Sequence, residues 1–222
     1  MSSVKQLELI HDFAQNKMQA DQTGHGFDHI LRVVANARYI LKHENQAADE
    51  LITLSAAYLH DIADDKLVAD PAQADRQLQA FLTQIGLSAA QIKEILLITD
   101  NLSFSKSLAK KPPVLPFAGQ IVQDADRLDA IGAIGITRAI YYGGVYHEKI
   151  YDPAIPPRTQ LSKAAYHDLT NETIINHFYE KLLKLKALMN TSTGKQLAEK
   201  RQQFMLAFLA EFKAEWKTDQ PE

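Results

Sequence analysis

Apolar side chains recur along most of this chain at intervals of three and four, the spacing of one helix face, and not at the interval of two that marks a strand. Residues 4–19 place Leu7, Ile10, Phe13 and Ala14 on one stripe. Residues 29–42 do the same with Ile30, Val33, Val34, Ala37, Ile40 and Leu41, and residues 47–62 with Leu51, Leu54, Tyr58 and Asp61. Boundaries are also legible. Asp70-Pro71 predicts a helix start, with Asp as N-cap and Pro at the first helical position, and Gly86 predicts its end. Ser88 and Gln91 form a capping-box pattern for a helix reaching about Asn101. "KKPPVLPF", 110–117, breaks the periodicity and predicts a loop. A helix then runs from about Gly119 to Tyr142 and ends at Gly143-Gly144. Residues 143–169 mix glycines, prolines, tyrosines and histidines. They predict a long irregular excursion, with room for a short hairpin, of a kind that often serves as a lid. Helices at about 170–189 and 193–217 close the chain. The second carries Leu197, Phe204, Phe208, Phe212 and Trp216, a stripe expected to be core. The expected fold class is all-α, with 1–222 as a single domain.

Composition narrows the function. With 222 residues and 46% hydrophobic content, the chain can bury one substantial core. The formal net charge of −3 argues against a stable nucleic-acid complex, which usually needs a basic excess. There is no cysteine, which excludes a disulfide framework, thiolate zinc ligation and a cysteine nucleophile. "MSSVKQLELIHDFAQ" does not read as a signal peptide, and no run approaches the ~18–20 apolar residues of a membrane span. The expectation is a cytoplasmic protein with no membrane partner.

Titratable chemistry is concentrated in a few places. "GHGFDHILRV", 24–33, holds His25, Asp28 and His29 at the start of an apolar helix. "YLHDIADDK" puts His60 and Asp61 together at the end of another. A lone histidine at a helix end is more often a cap or a surface residue. The adjacent pair differs, because a carboxylate at a helix C-terminus opposes the dipole and a bound cation offsets that cost. "VQDADRLDAIG" adds Asp124, Asp126 and Asp129 on a helix whose other positions are apolar, and any of the three could complete a metal site. "TSTGKQ" lacks the first glycine and the final Ser/Thr of a P-loop.

The order His29, His60-Asp61, Asp126 resembles the H…HD…D signature of the HD-domain superfamily of metal-dependent phosphohydrolases. "DHILRV" matches its opening helix, "LHDIAD" its HD turn, and "DADRLDAIGAIG" the segment carrying the last aspartate. The likeness covers about residues 20–145. The later stretches "YYGGVYHEKIYDPAIPPR" and "NTSTGKQLAEKRQQFM" resemble the bacterial YpgQ/YedJ-like branch. The resemblance implies an HD-domain helical bundle with 143–169 as a lid and 170–217 as C-terminal helices. It implies His29, His60, Asp61 and Asp126 as ligands of one divalent ion, manganese first, with magnesium, nickel, cobalt or iron as alternatives. Such a mixed N/O set suits these ions. Two-metal members carry extra histidines between the HD pair and the last aspartate, and none stands between His60 and Asp126. The implied reaction is hydrolysis of a (d)NTP to (d)NMP and pyrophosphate by metal-activated water. A nucleotide monophosphatase, a phosphodiesterase or a non-catalytic nucleotide or metal sensor are the alternatives. Asp61, Asp64 and His25 are the candidate catalytic groups. Arg32, Lys66, Lys106, Arg127 and Arg158 are the candidate phosphate contacts. Asp28 is placed to orient His29 or His25, and a homodimer is a further expectation.

Overall fold

Each predicted helix start that depends on a capping residue forms as the chemistry dictates. In the computed structural model, which describes residues 1–18, 26–62, 70–104, 114–158 and 173–216, Asp70 caps α4 (Pro71–Gln84) by accepting from the Gln73 N–H, with Pro71 in the first turn. Ser88 and Gln91 close a reciprocal capping box on α5 (Ala89–Thr99). Asp49 caps α3 (Glu50–Leu59) through the Ile52 N–H, so this helix starts three residues later than its periodicity suggests.

Two compact units divide the chain between Asp126 and Arg127. In the first, α1 (Ser3–Met18) buries Gln6, Ile10, Ala14 and Met18, and α2 (Phe27–His43) buries His29, Ile30, Val33, Val34, Ala37 and Ile40. Helix α3 is apolar all round and buried from Leu51 to Leu59, because it packs against α1, α2 and α5. Helix α4 packs on α5, and its Phe81 ring stacks on Phe13 of α1 at 4.2 Å. Leu115 and Gly119 bring the start of α6 (Phe117–Asp129) against Ile98 of α5.

The second unit departs from the sequence expectations at five points. The single helix expected over 119–142 is two, α6 and α7 (Gly132–Val145). The break falls at Ala130-Ile131, whose N–H groups bond back three residues to Arg127 and Leu128. Gly132 follows at φ +79, with the Arg201 side chain 3.0 Å from where its Cβ would stand. Helix α7 then runs through Gly143-Gly144, where a stop was expected. Gly143 is a packing position: a Cβ there would meet Ile174 at 2.4 Å. The expected hairpin is absent among the described residues of 143–169. In its place Lys149 makes an isolated parallel bridge to Thr173, and the chain is irregular from there to Arg158.

The C-terminal part differs as well. The helix expected over 170–189 is a short α8 (Ile174–Glu180) followed by a 3-10 segment, Leu182–Leu188, in which Leu182 and Leu185 bury together. Residues three apart eclipse in that geometry, so the tighter winding aligns them. Helix α9 (Ser192–Trp216) inverts its expected faces. Its buried side chains are Thr193, Ala198, Met205 and Leu209, while Phe204 is 55% and Trp216 42% exposed. The small residues Gly194 and Ala198 allow close packing of α9, which contacts α7 and the 3-10 segment. The aromatic stripe instead stacks on itself: Phe212 on Trp216 at 5.4 Å, with Tyr151 edge-on to Trp216 at 5.3 Å. The fold is all-α, with no strand among the described residues, and no helix there is long and apolar enough to cross a membrane.

A candidate metal centre

The first turn of α2 and the last turn of α3 point histidines at each other. His29 follows Gly26, the N-cap of α2, and is 1% exposed. His60 is the C-cap of α3, 8% exposed, and Asp61 follows it in the turn that ends that helix, where the Ile62 N–H bonds to the Leu59 carbonyl. Their Nε2 atoms are 3.2 Å apart. Asp61 reaches both imidazoles, Oδ2 at 3.5 Å from His29 and Oδ1 at 3.4 Å from His60. Asp126, in the last turn of α6, brings Oδ1 to 3.6 Å from His29 and 3.8 Å from His60.

These distances suit a shared cation. The His29 Nε2, His60 Nε2 and Asp126 Oδ1 atoms form a triangle with sides of 3.2, 3.6 and 3.8 Å. The centre of such a triangle lies about 2.1 Å from each corner, the bond length of nitrogen and oxygen donors to first-row divalent ions. The donor chemistry fits too. His60 Nδ1–H donates to the Ala57 carbonyl at 3.0 Å, which turns the Nε2 atom toward the cluster. Two imidazoles and two carboxylates, with His60 and Asp61 at the negative end of α3, form a donor set that suits a divalent ion. The residues present can therefore hold a divalent metal, with His29, His60 and Asp126 offering donor atoms within one cluster.

The other expected site residues fall in three groups. Asp64, His25, Lys66 and Lys106 lie outside the described residues. Arg32 lies one turn beyond Asp28 and donates to its Oδ2 at 2.7 Å. The Arg32 guanidinium holds the Asp28 carboxyl below the ordinary carboxylate range, helped by the His29 backbone N–H. Asp28 thus engages Arg32 and the helix start. Arg127 and Arg158 bond to the protein itself. Arg127 is 7% exposed and donates to the Leu188 carbonyl. The backbone N–H of Arg158 donates to Glu180 Oε1 at 2.8 Å and its Nε–H to Oε2 at 2.7 Å, with Glu180 1% exposed. Asp129 receives Arg138 at 3.0 Å in the second unit.

Sequence reasoning overlooked two polar residues. Glu180 looked like one acid among many. Asn36 stands seven residues after His29 on α2, and its Nδ2–H donates to the Ala125 carbonyl at 3.1 Å. The available signal for Asn36 was a polar residue recurring two turns along the histidine face.

The comparisons with known proteins agree with this geometry. Residues 26–131 match the HD domain family. The Bacillus subtilis protein YpgQ is 36% identical over 94% of this chain and 93% of its own. YpgQ in complex with ADP superposes with a TM-score of 0.79 over 98% of both chains, at 31% identity. A Lactobacillus plantarum protein of solved structure is 49% identical, with a TM-score of 0.86 over 97% of this chain and 98% of that one. A Bacillus thuringiensis HD-superfamily hydrolase is 35% identical, with a TM-score of 0.76 over 98% of this chain and all of that one. With the His/His/Asp cluster in place, these likenesses show that the chain belongs to the HD-domain superfamily of metal-dependent hydrolases, in its YpgQ-like branch.

Proposed function

We propose that the protein is a nucleotide phosphohydrolase that cleaves (d)NTP to (d)NMP and pyrophosphate. The observation that carries this reading is the convergence of two imidazoles and two carboxylates at separations of 3.2 to 3.8 Å. The solved complex of the relative YpgQ with ADP supports the nucleotide class. In this reading His29, His60, Asp61 and Asp126 hold one divalent ion, manganese first. When bound, that ion supplies Lewis acidity toward a phosphate oxygen and acidifies water. Asp61, whose two oxygens face different imidazoles, also orients the attacking water. Asp64 and His25 are the candidates for proton transfer to the leaving group. Arg32, Lys66 and Lys106 offset phosphate charge, a need sharpened by the acidic balance of the chain. Arg127 and Arg158, which also bond to Leu188 and Glu180, are the further candidates for phosphate contact. A cytoplasmic location and a homodimer belong to the same proposal. Fractionation checks the first and light scattering the second.

The test is to incubate purified protein with Mn²⁺ and each dNTP and to separate the products. Monophosphate with pyrophosphate is the expected result. Stepwise orthophosphate release, or turnover of monophosphates or cyclic nucleotides alone, moves the assignment to a phosphatase or phosphodiesterase. Bound metal with no turnover of any nucleotide leaves a sensor.

A further inference from the structure

The four donors of the candidate centre are not held alike. The side chains of His29 and His60 are 1% and 3% exposed and are fixed by packing, whereas that of Asp126 is 31% exposed. Its position must come from its backbone. A side chain of α2 bonds to that backbone beside Asp126. Asn36 Nδ2–H donates to the Ala125 carbonyl at 3.1 Å, and this carbonyl belongs to the peptide that enters Asp126. Asn36 stands on α2, the helix that carries His29. Seven residues at 3.6 per turn return to within about 20° of the same face, so His29 and Asn36 share one side of α2. The hydrogen bond therefore ties the helix of the first donor to the residue before the last. A carbonyl inside a helix already accepts from the N–H four residues on. Formation of α6 does not require the second bond, and the side chain must serve placement.

We infer that Asn36 is a positioning residue for Asp126, setting how far its carboxylate reaches toward the two imidazoles and thereby the affinity of the centre for a divalent ion. The inference rests on the metal reading of the cluster. Metal–ligand bonds tolerate errors of only about 0.2 Å. A helix freed to shift by a few tenths of an ångström loosens the site without disrupting the fold. Asn36 does not touch the metal position, so its effect passes through Asp126.

The experiment is Mn²⁺ titration by calorimetry on the full chain, with the melting temperature of the metal-free protein measured in parallel. Asn36→Ala should weaken Mn²⁺ binding about tenfold or more, the usual cost of losing a group that supports a ligand. Its metal-free melting temperature should stay within a few degrees of wild type. If Asn36→Ala does not fold, Asn36→Gln replaces it: the extra methylene displaces α6 and should weaken binding at least threefold. A dissociation constant within twofold of wild type in the folded variant overturns the inference while leaving the metal reading intact, since wild type still binds. No Mn²⁺ binding by wild type overturns both.

Discussion

At the residue scale, the centre gathers acid and imidazole groups that are costly to bury unless a cation joins them. His60 shows how this is managed, since its bond to the Ala57 carbonyl turns the Nε2 atom inward. Asp61 has 13% side-chain exposure and its two oxygens lie 3.5 and 3.4 Å from the two imidazoles, so in the proposed metal reading its carboxylate contributes more to metal binding than to folding. Asp61→Ala is expected to lower Mn²⁺ affinity by well over tenfold, with the metal-free melting temperature nearly unchanged, as calorimetry and thermal scanning would show. Asp28 makes a second expectation. Its carboxyl is depressed by Arg32, so the stabilisation from this pair is present above the unfolded carboxylate pKa. It is lost as pH falls through the lower folded value. A thermal scan of Asp28→Asn against wild type should therefore show a gap at neutral pH that closes in acid. The pair is exposed, and the gap should be small.

At the element scale, the second unit depends on a few points where backbone and polar groups are tightly placed. Gly132 is one. Its φ of +79 is strained for any residue with a Cβ, and Arg201 occupies the space that Cβ would need. Gly132→Ala should cost about 1–2 kcal/mol in denaturant unfolding. Arg158 and Glu180 are another. Their bonds, together with that from Asn176 Nδ2–H to the Ile155 carbonyl, pin the irregular segment ending at Arg158 onto α8. Removing one partner of a buried pair typically costs ~3–5 kcal/mol. Arg158 keeps 25% side-chain exposure, which reduces the cost. Glu180→Gln should therefore destabilise by about 2–3 kcal/mol in a denaturant titration. At Arg158 the segment read from sequence as a lid is bonded to α8.

At the scale of the whole molecule, a divalent ion that binds only the folded chain adds to its stability by mass action. Mn²⁺ at 100 times its dissociation constant adds about 2.7 kcal/mol. For a chain this size each kcal/mol raises the melting temperature by about 2–4 °C. Thermal scans should therefore show a rise of roughly 5–11 °C with Mn²⁺, reversed by EDTA. A chain with net charge −3 gains nothing from long-range attraction to an anionic substrate. Turnover should thus depend strictly on the metal, and chelation should abolish it.

Local chemistry made much of this protein legible in advance. The caps at Asp70 and Ser88 and the stripe of α2 depend on neighbours within four residues, and sequence alone determined them. The motif order also nominated the residues that the fold brings together. Tertiary structure decided the rest. Gly143 read as a helix stop because its partner, Ile174, is distant in sequence. The α6–α7 break depends on Gly132 meeting Arg201, a contact that no local window contains. The aromatic stripe of α9 read as core because hydrophobicity alone ranks Phe and Trp above Ala and Gly. Close helix packing selects the small face, and this left Phe204 and Trp216 partly in water. Asn36 and Glu180 gain their meaning only from a carbonyl and a guanidinium that folding places beside them. Periodicity and capping act over a turn or two of chain, whereas packing and polar pairing depend on which distant surfaces meet.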